Sequence, residues 1–373
     1  MLYNLERPIP IDKLKRIEHH DFLKVCCTFL ILFVFSSSLK AQYLSYAEEP
    51  TVTEYDVDST WLHRPDNISG QGAVTGVAID NKGQVWFCKR GKDPIQVYTT
   101  DGKFVRSWGG DQIVRPHSLR IDPEGNVWVA DIELHTVRKY TPLGVLLMTI
   151  GVQGKAGKDQ THLNMPTDMV ITPTGDVFIT DGYGNRRIVH YNKQGKFVKA
   201  WGDYGSTPGN FILPHSIVVD SKGRLYVADR NSGRIEVFNQ NGKLLDQWSN
   251  LIMPWFLSIN AKDEIWVCGS SPHWWNRNGK FPEYKDQVFM RFSTDGRVQQ
   301  IWHIPLGDLG KDKTHPDFSN LKAGEGVGVH AIVQDSKGAL YVGEVYSQRI
   351  EKFIPITKRP ESDKKKRMVS DVL

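Results

Sequence analysis

The chain has 373 residues, of which 40% are apolar and 24% charged, with 33 glycines and 19 prolines. This composition excludes a disordered chain and a multispan membrane protein, and it supplies enough apolar side chains for a large core. The net charge of +5 is too small to indicate nucleic-acid binding.

The first element in chain order is a targeting segment, which we assign to residues 1–41. An apolar run from Phe22 to Ser38 follows basic residues and precedes Ala41, which predicts a secretory signal cleaved after Ala41. The polar part before the run contains Glu18 and Asp21, so an uncleaved membrane anchor is the alternative interpretation. In either case we expect the rest of the chain to be secreted or periplasmic, with membrane contact only if the segment is retained.

The remaining chain divides into a repetitive region and a charged tail. Residues 42–357 contain all the repeats and are predicted to form one domain. Residues 358–373 are charged and aperiodic, and this predicts a disordered end. Cys88 and Cys268 fall in different repeats, so the domain has no predicted disulfide framework and must be stabilised by packing.

The repetitive region consists of six units of roughly 40 to 50 residues, each with four short strand patterns separated by hairpin turns. Four strands per unit predict an all-β fold, a six-bladed β-propeller built from NHL-type repeats. One blade cannot bury both of its faces, so the tryptophans that end most fourth strands are predicted to fill the layers between blades. The innermost strands begin at Thr75, His117, Thr167, His215, Trp255 and His330.

The sixth unit has only three strands and ends near Phe353. The segment Tyr55–Trp61 resembles fourth strands such as Phe104–Trp108. We therefore predict that the N-terminal strand of the domain completes the sixth blade and closes the ring, which removes an exposed sheet edge. Two insertions, Ser271–Gln287 and Gly307–Gly326, are predicted loops of the kind that carry function.

Histidine occupies the first position of the innermost strand in units two, four and six, as His117, His215 and His330. Alternate blades of a six-bladed ring lie about 120° apart, so these side chains can converge on the axis. Three imidazoles with one open coordination position are typical of a catalytic zinc site. The alternative is that three polar residues line a wet channel mouth.

A second set of candidate residues follows the second strand of each unit. Aspartates recur there and are expected to cap turns, whereas Arg90, Tyr183 and Arg230 differ between units. A tyrosine has a reference pKa of about 10, but a nearby cation favours the phenolate, so Tyr183 could take a proton from a hydroxyl. Arginine binds carboxylates through two hydrogen bonds. Together these residues predict a small-molecule or peptide substrate with a hydroxyl and a carboxylate.

Several motifs connect the chain with a known family. They include Lys89–Gly91, Pro116–Leu119, Pro166–Asp168, Asp181–Asn185, Pro214–Ser216 and Ala228–Arg230. This set resembles the peptidyl-α-hydroxyglycine α-amidating lyase family (peptidylamidoglycolate lyase), which belongs to the NHL-repeat propellers. Asp-Gly-Tyr and Ala-Asp-Arg in adjacent units make the resemblance more specific than similarity to NHL repeats in general.

The resemblance implies that the three histidines bind zinc and that Tyr183 removes the proton of the substrate hydroxyl. Arg90 and Arg230 would bind the substrate carboxylate and stabilise developing charge. The implied reaction breaks the C–N bond of a carbinolamide and releases an amide and glyoxylate, with zinc polarising the hydroxyl oxygen.

The resemblance also implies a structural calcium in the channel, bound by the backbone carbonyls of Val77 and Leu119. Ala331 stands where the family has the acidic ligand, and loss of the only charged ligand should weaken a hard-cation site considerably. Gly328 and Gly184 replace a family methionine and cysteine. These departures leave zinc as the expected metal, and they argue against calcium and against strict specificity for peptide amidation.

Two other functions compete with this interpretation. A non-enzymatic NHL propeller would bind a peptide or glycan on its top face, using the insertion that contains His273, Trp274 and Trp275. A propeller hydrolase of the lactonase type would need a carboxylate-rich calcium site in the channel. The histidine-rich, carboxylate-poor inner column argues against that hydrolase.

Overall fold

The computed structural model describes residues 53–249, 251–270, 287–305, 307 and 320–356. They all belong to one compact unit, Tyr46–Leu373. The proposed signal at 1–41, the tail at 358–373 and most of the first insertion, including His273, Trp274 and Trp275, lie outside the described residues. Among the residues that are described, the helices are too short or too polar to span a membrane.

The described strands form six sheets of four antiparallel strands each. In the first blade these are β2 (Val74–Ile79), β3 (Val85–Lys89), β4 (Ile95–Tyr98) and β5 (Phe104–Trp108). The second blade contains β6 (Pro116–Ile121), β7 (Val127–Asp131), β8 (Thr136–Tyr140) and β9 (Leu146–Ile150). The third contains β10 (Asp168–Ile171), β11 (Val177–Asp181), β12 (Arg187–Tyr191) and β13 (Phe197–Trp201), with the short helix α1 (Gly182–Asn185) after β11.

The other three blades follow the same order. The fourth contains β14 (Pro214–Val219), β15 (Leu225–Asp229), β16 (Arg234–Phe238) and β17 (Leu244–Trp248), with a 3-10 helix at Arg230–Ser232. The fifth contains β18 (Met253–Ile259), β19 (Ile265–Ser270), β20 (Gln287–Phe292) and β21 (Val298–Ile304). The sixth contains β22 (Val329–Gln334), β23 (Leu340–Glu344), β24 (Ile350–Ile356) and β1 (Glu54–Val57).

The six-bladed propeller predicted from the sequence is confirmed, and so is its closure. Strand β1 pairs antiparallel with β24, with Tyr55 opposite Pro355 and Val57 opposite Phe353. The closing strand is shorter than the predicted Tyr55–Trp61, because Trp61 lies beyond it. Its buried indole packs against the rings of two tyrosines, Tyr98 and Tyr341, from the first and sixth blades. The innermost strands contact one another in chain order around the ring.

The repeated Asp, Gly and aromatic residues stabilise the inner hairpins of the first, second, fourth and sixth blades. Asp80 accepts hydrogen bonds from the backbone N–H groups of Lys82 and Gln84, and its other oxygen accepts one from the indole of Trp86 at 2.9 Å. Gly83 supplies the positive φ of 74° that the turn requires. The same aspartate–aromatic bond recurs in Asp122–Trp128, Asp220–Tyr226 and Asp335–Tyr341.

The tryptophans that end the outer strands do pack between blades, as predicted. Each contacts an aromatic ring on the third strand of the next blade, and such pairs contribute about 0.5–1.5 kcal/mol beyond the area they bury. The pairs, with their centroid distances, are Trp108–Tyr140 (5.2 Å), Trp201–Phe238 (5.9 Å), Trp248–Phe292 (5.4 Å) and Trp302–Phe353 (4.9 Å). The apolar cores therefore lie between the sheets, which leaves the innermost strands to present polar groups to the axis.

Candidate metal centre

Three histidines from alternate blades meet at one end of the axis. His117, His215 and His330 are the second residues of β6, β14 and β22, and all three side chains are buried. One ligand atom from each lies within 4.8 Å of the others, and the ring centroids are 4.7 to 5.1 Å apart. The structure thus brings together the three residues that the sequence singled out as zinc ligands.

A β-bulge turns each histidine toward the axis. In β6, Pro116 pairs with Asp131 and Ser118 pairs with Ala130, so His117 is an extra residue without a partner in the ladder. The same register shift surrounds His215 and His330 in their strands. A bulge bends its strand and changes the direction of a side chain. Two consecutive residues of these strands can therefore both contact groups in the channel.

The tautomer of each histidine follows from its hydrogen bond. Each Nδ1 lies against the backbone carbonyl of the residue at the same position of the next blade, and a carbonyl can only accept. Nδ1 therefore carries the proton, and the lone pair of each Nε2 remains available to a metal. The pairs are His117 with Thr167 (2.7 Å), His215 with Trp255 (2.5 Å) and His330 with Thr75 (2.8 Å).

Burial keeps the three imidazoles neutral. It lowers the pKa of His117 and of His215 well below the ordinary histidine value, and that of His330 to about 3. The positive charge of Arg230 lowers the pKa of His215 further. Metal ligands must be deprotonated, so a buried set of three neutral imidazoles fits zinc or a similar divalent transition metal. Buried rings with directed Nδ1 bonds do not resemble a loosely hydrated channel mouth.

The Tyr183 hydroxyl lies directly at the three-histidine cluster. Its oxygen is 3.0 Å from Nε2 of His117 and 3.2 Å from Nε2 of His215. Helix α1 can carry Tyr183 this close because Gly182 has no side chain: a Cβ there would lie 2.0 Å from the carbonyl oxygen of Pro214. The structure therefore joins the predicted base to two of the predicted ligands.

Arg230 approaches the same centre from the fourth blade. Its Nη1 lies 3.1 Å from Nε2 of His215. The guanidinium stacks on the indole of Trp255, 4.8 Å from the ring centroid, and lies 5.9 Å from the ring of Tyr183. Stacking on an aromatic face stabilises a cation, so Trp255 holds this charge beside the histidines.

Arg90 directly follows β3 in the first blade, and its positive charge acts on His117 as that of Arg230 does. Burial lowers the pKa of its guanidinium, and the positive charge of Arg115 acts in the same direction, whereas Tyr183 and Tyr346 favour the charged form. The Nε of Arg90 is buried and has no hydrogen-bond partner among the described residues. Arg90 thus has donor capacity that the folded chain does not use.

The two family departures noted in the sequence have structural counterparts. A Cβ at Gly184 would lie 2.0 Å from Cγ of Asn164, so this asparagine fills the space of a side chain there. Gly328 has a φ of 71°, and a Cβ on it would lie 2.2 Å from Cδ2 of Tyr346. Asn164 and Tyr346 therefore occupy the space beside these two glycines.

The recurring aspartates after the second strands cap loops, as expected. Asp181 Oδ1 accepts the N–H of Asn164 at 2.7 Å, and Asp229 Oδ1 accepts the N–H of Leu213 at 2.7 Å. Both loops lead into innermost strands, so the caps fix where those strands begin. Sequence reasoning missed Trp255 as the partner of Arg230; the signal was available, because Trp255 interrupts the threonines found at this position in the other blades without histidine.

The residues at the level of the implied calcium do not fit that ion. The guanidinium of Arg120 reaches carbonyls at positions equivalent to those of Val77 and Leu119, donating to Leu257 at 3.0 Å and to Ile217 at 3.4 Å. Ala331 offers no carboxylate. Calcium sites are built from oxygen ligands that include carboxylates, and here a guanidinium already donates to two carbonyls of this level, in the fourth and fifth blades.

Known proteins share this architecture. Residues 111–252 match the family model described as SMP-30/Gluconolactonase/LRE-like region. A solved structure described as a streptogramin B lyase structure matches with a TM-score of 0.54 at 15% identity, covering 83% of this chain and 100% of that one. At this identity the likeness shows the propeller fold alone.

Three curated relatives narrow the class. The chain is 29% identical over 318 residues to NHL repeat-containing protein 3 of Homo sapiens, covering 81% of this chain and 84% of that protein. It is 38% identical over 317 residues to peptidylglycine alpha-amidating monooxygenase of Rattus norvegicus, covering 76% and 30%. It is 31% identical over 211 residues to peptidyl-alpha-hydroxyglycine alpha-amidating lyase 1 of Drosophila melanogaster, covering 52% and 38%.

The matches thus span less than two fifths of the rat and fly proteins. The homologues include proteins named as amidating lyases and NHL repeat proteins. Fold, site and relatives together define a lyase-like β-propeller with a three-histidine site that could hold a metal.

Proposed function

We propose that this protein is a zinc-dependent lyase that cleaves the C–N bond of a peptidyl-α-hydroxyglycine-like carbinolamide and releases an amide and glyoxylate. The observation that carries the proposal is the position of the Tyr183 hydroxyl, within hydrogen-bond distance of Nε2 atoms of both His117 and His215. The similarity to a protein named as an amidating lyase supports the same reaction class.

His117, His215 and His330 would hold the zinc through their Nε2 atoms. Zinc bound there supplies a Lewis acid that lowers the pKa of a coordinated hydroxyl. The chain contributes the geometry: backbone carbonyls orient each ring, and burial keeps each ring neutral at the moment of binding.

Tyr183 moves the proton. Its oxygen takes the proton of the substrate hydroxyl, and the electron pair of that O–H bond becomes the second bond of the glyoxylate carbonyl. The pair of the C–N bond leaves with the amide nitrogen, which takes the proton back from Tyr183. One residue thus serves as base and then as acid, and no oxidant or water is consumed.

Arg230 and Arg90 would bind the substrate carboxylate. Arg230 lies beside His215, so a carboxylate on the carbon that bears the hydroxyl can reach the guanidinium while the hydroxyl reaches the histidines. The unpaired buried Nε of Arg90 supplies a further donor. Hydrogen bonds to charged groups are worth about 1.5–3 kcal/mol, enough to favour substrates with this carboxylate.

The substrate class and the compartment belong to the same proposal. We expect a small or peptidyl carbinolamide outside the cytoplasm, delivered there because residues 1–41 act as a signal or an anchor. N-terminal sequencing of the secreted protein tests the signal: a mature chain that begins at Gln42 supports cleavage after Ala41.

The decisive experiment measures glyoxylate release from an N-acyl-α-hydroxyglycine by the zinc-loaded protein. We expect amide and glyoxylate in equal amounts, formed faster than the uncatalysed reaction. Protein that contains one zinc per chain and produces no glyoxylate would overturn the proposal.

A second candidate function is favoured by the match to NHL repeat-containing protein 3, which covers 84% of that protein. In this case the propeller binds a peptide or glycan without turnover. His215→Ala then leaves ligand binding intact, whereas the lyase loses zinc and activity together.

A further inference from the structure

The side chain of Arg120 crosses the channel below the histidines. It starts on β6 in the second blade and donates from Nη2 to carbonyls of Ile217 in the fourth blade and Leu257 in the fifth, at 3.4 and 3.0 Å. In a ring of six, the fifth blade stands opposite the second. The guanidinium also stacks on Phe256, 4.2 Å from the ring centroid.

Asp168 is the anionic partner of this arginine, and it is completely buried. It accepts hydrogen bonds from Nε of Arg120 at 3.0 Å, from Nη2 of Arg120, and from the hydroxyls of Ser118 and Ser216. The N–H of Ile217 donates to it at 3.1 Å. Both carboxylate oxygens are therefore occupied by groups of the chain itself.

The same carboxylate connects three strands of the metal centre. Ser118 and Ser216 directly follow His117 and His215. Asp168 directly follows Thr167, whose carbonyl accepts the Nδ1–H of His117. One buried anion thus fixes the relative positions of the innermost strands in blades two, three and four, one residue away from the imidazoles.

The guanidinium also lies at the channel level where the family resemblance implied calcium, although the carbonyls that it contacts belong to the fourth and fifth blades and those of Val77 and Leu119 to the first and second. Ile217 and Leu257 hold the same strand position as Val77 and Leu119, and their carbonyls already accept from a cation. Ala331 supplies no carboxylate, and Asp168 has no free oxygen. A calcium ion placed there would meet a like charge without an anionic ligand.

We propose that the Arg120–Asp168 ion pair replaces a channel cation in this protein and positions the histidines of the metal centre. The propeller then needs no calcium, because the guanidinium supplies a positive charge to two carbonyls of this channel level, those of Ile217 and Leu257. The positioning role rests on the proposed metal site, whereas the replacement of calcium does not.

The replacement is tested by thermal unfolding of zinc-loaded protein with and without millimolar calcium. We expect no calcium-dependent rise in Tm for the natural chain and no calcium in elemental analysis. The double variant Arg120→Leu/Ala331→Asp should gain a calcium-dependent rise, because it removes the guanidinium from the channel and supplies a carboxylate. The single variant Ala331→Asp keeps the guanidinium and is the matched control, with no expected gain.

Calcium that raises the Tm of the natural chain, or that copurifies at one ion per chain, overturns the replacement. A double variant that folds and ignores calcium overturns it as well. Neither readout depends on glyoxylate release, so failure here is distinguishable from failure of the proposed lyase activity.

The positioning role is tested with cobalt(II) in place of zinc. Asp168→Asn should change the visible spectrum of the bound cobalt and weaken zinc binding about 10- to 100-fold, the range for groups that orient metal ligands. Asp220→Asn is the control, because Asp220 is a buried aspartate paired with Arg224 at 2.7 Å but belongs to an inner hairpin. It should destabilise the fold without altering the spectrum.

An Asp168→Asn protein with the natural cobalt spectrum and zinc affinity overturns the positioning role. The role is also overturned if Asp220→Asn changes the cobalt spectrum and the zinc affinity as strongly as Asp168→Asn does. Both changes would then reflect general destabilisation of the fold.

Discussion

Two levels of one channel use the same six strands in opposite ways. At the upper level, three neutral imidazoles present Nε2 atoms whose Nδ1 partners are already fixed by backbone carbonyls. Further along the same strands, Asp168 and Arg120 form an ion pair whose hydrogen bonds are made within the chain. The upper level can still bind a cation from solution, whereas the lower level already contains a cation of the chain, the guanidinium of Arg120.

The difference shows what decides whether a polar channel holds a metal. Neutral groups that converge without hydrogen bonding to one another keep their lone pairs free for a metal. Burying them costs less than burying charged groups, because they carry no charge. Buried charges must be paired, and once paired they offer nothing to an ion. Metal binding is therefore expected where the chain leaves lone pairs unused. Substitutions at the upper and lower levels should have correspondingly different effects.

The largest effect should come from removing an upper-level ligand. In His117→Ala we expect zinc to fall well below one per chain and glyoxylate release to fall by roughly 10³-fold or more, because the Lewis acid is lost. Elemental analysis measures the zinc content, and a glyoxylate assay measures the activity. His162→Ala is the control, since His162 lies in a surface loop against Asp159; equal zinc in both variants would contradict the site.

A smaller effect should follow when the ligands remain and the proton acceptor is removed. Tyr183→Phe deletes the hydroxyl that contacts His117 and His215 while keeping the imidazoles. We expect kcat to fall about 10²- to 10⁴-fold with zinc content unchanged. Tyr204→Phe removes an exposed hydroxyl and should keep full activity. A Tyr183→Phe enzyme with natural kcat would exclude tyrosine as the base.

Loss of the Arg230 guanidinium at the upper level should affect substrate binding most. Arg230→Gln removes a guanidinium that lies beside His215 and on the Trp255 ring. We expect KM for a carboxylate-bearing substrate to rise about 10- to 100-fold, the equivalent of one charged hydrogen bond. A substrate lacking the carboxylate should show no such rise. Arg297→Gln, at an exposed pair with Asp295, is the surface control.

The upper level was largely predictable from the sequence, and the physical reason is periodicity. Hairpin signals and the repeated Asp–aromatic pattern determine four strands per blade, and six units then place every second histidine about 120° apart. Closure by the N-terminal strand followed from the missing fourth strand of the last blade. The predicted blades and their closure depend only on the pairing of neighbouring strands and on the number of units.

The lower level was not predictable, because its contacts cross between units. Nothing in the spacing of Arg120 shows that its side chain reaches the opposite side of the channel, since a long side chain can take many directions. The β-bulge at His117 was also invisible to a pattern with a period of two. Likewise, Tyr346 fills space beside Gly328 from a separate loop. Such features depend on three-dimensional packing rather than on repeats.

The smallest predicted effect concerns a buried carboxylate that is less well paired than Asp168. Glu236 accepts the N–H of Gly209 at 3.0 Å and lies 3.3 Å from Arg234, and burial raises its pKa from 4.5 to about 7. The unfolded chain loses this proton near pH 4.5 and the folded chain near pH 7, so stability falls as pH rises between these values. Above pH 7 the full cost is present.

Glu236→Gln removes that cost, so its Tm relative to the natural chain should become more positive from pH 5 to pH 8, by the equivalent of roughly 1–3 kcal/mol. Thermal unfolding across this range measures it, with Glu133→Gln as a control for loss of an exposed carboxylate. A Tm difference that stays constant with pH would mean that Glu236 is as fully compensated as Asp168. In that case the Arg120–Asp168 pair would not differ from other buried charges in how fully the chain compensates it.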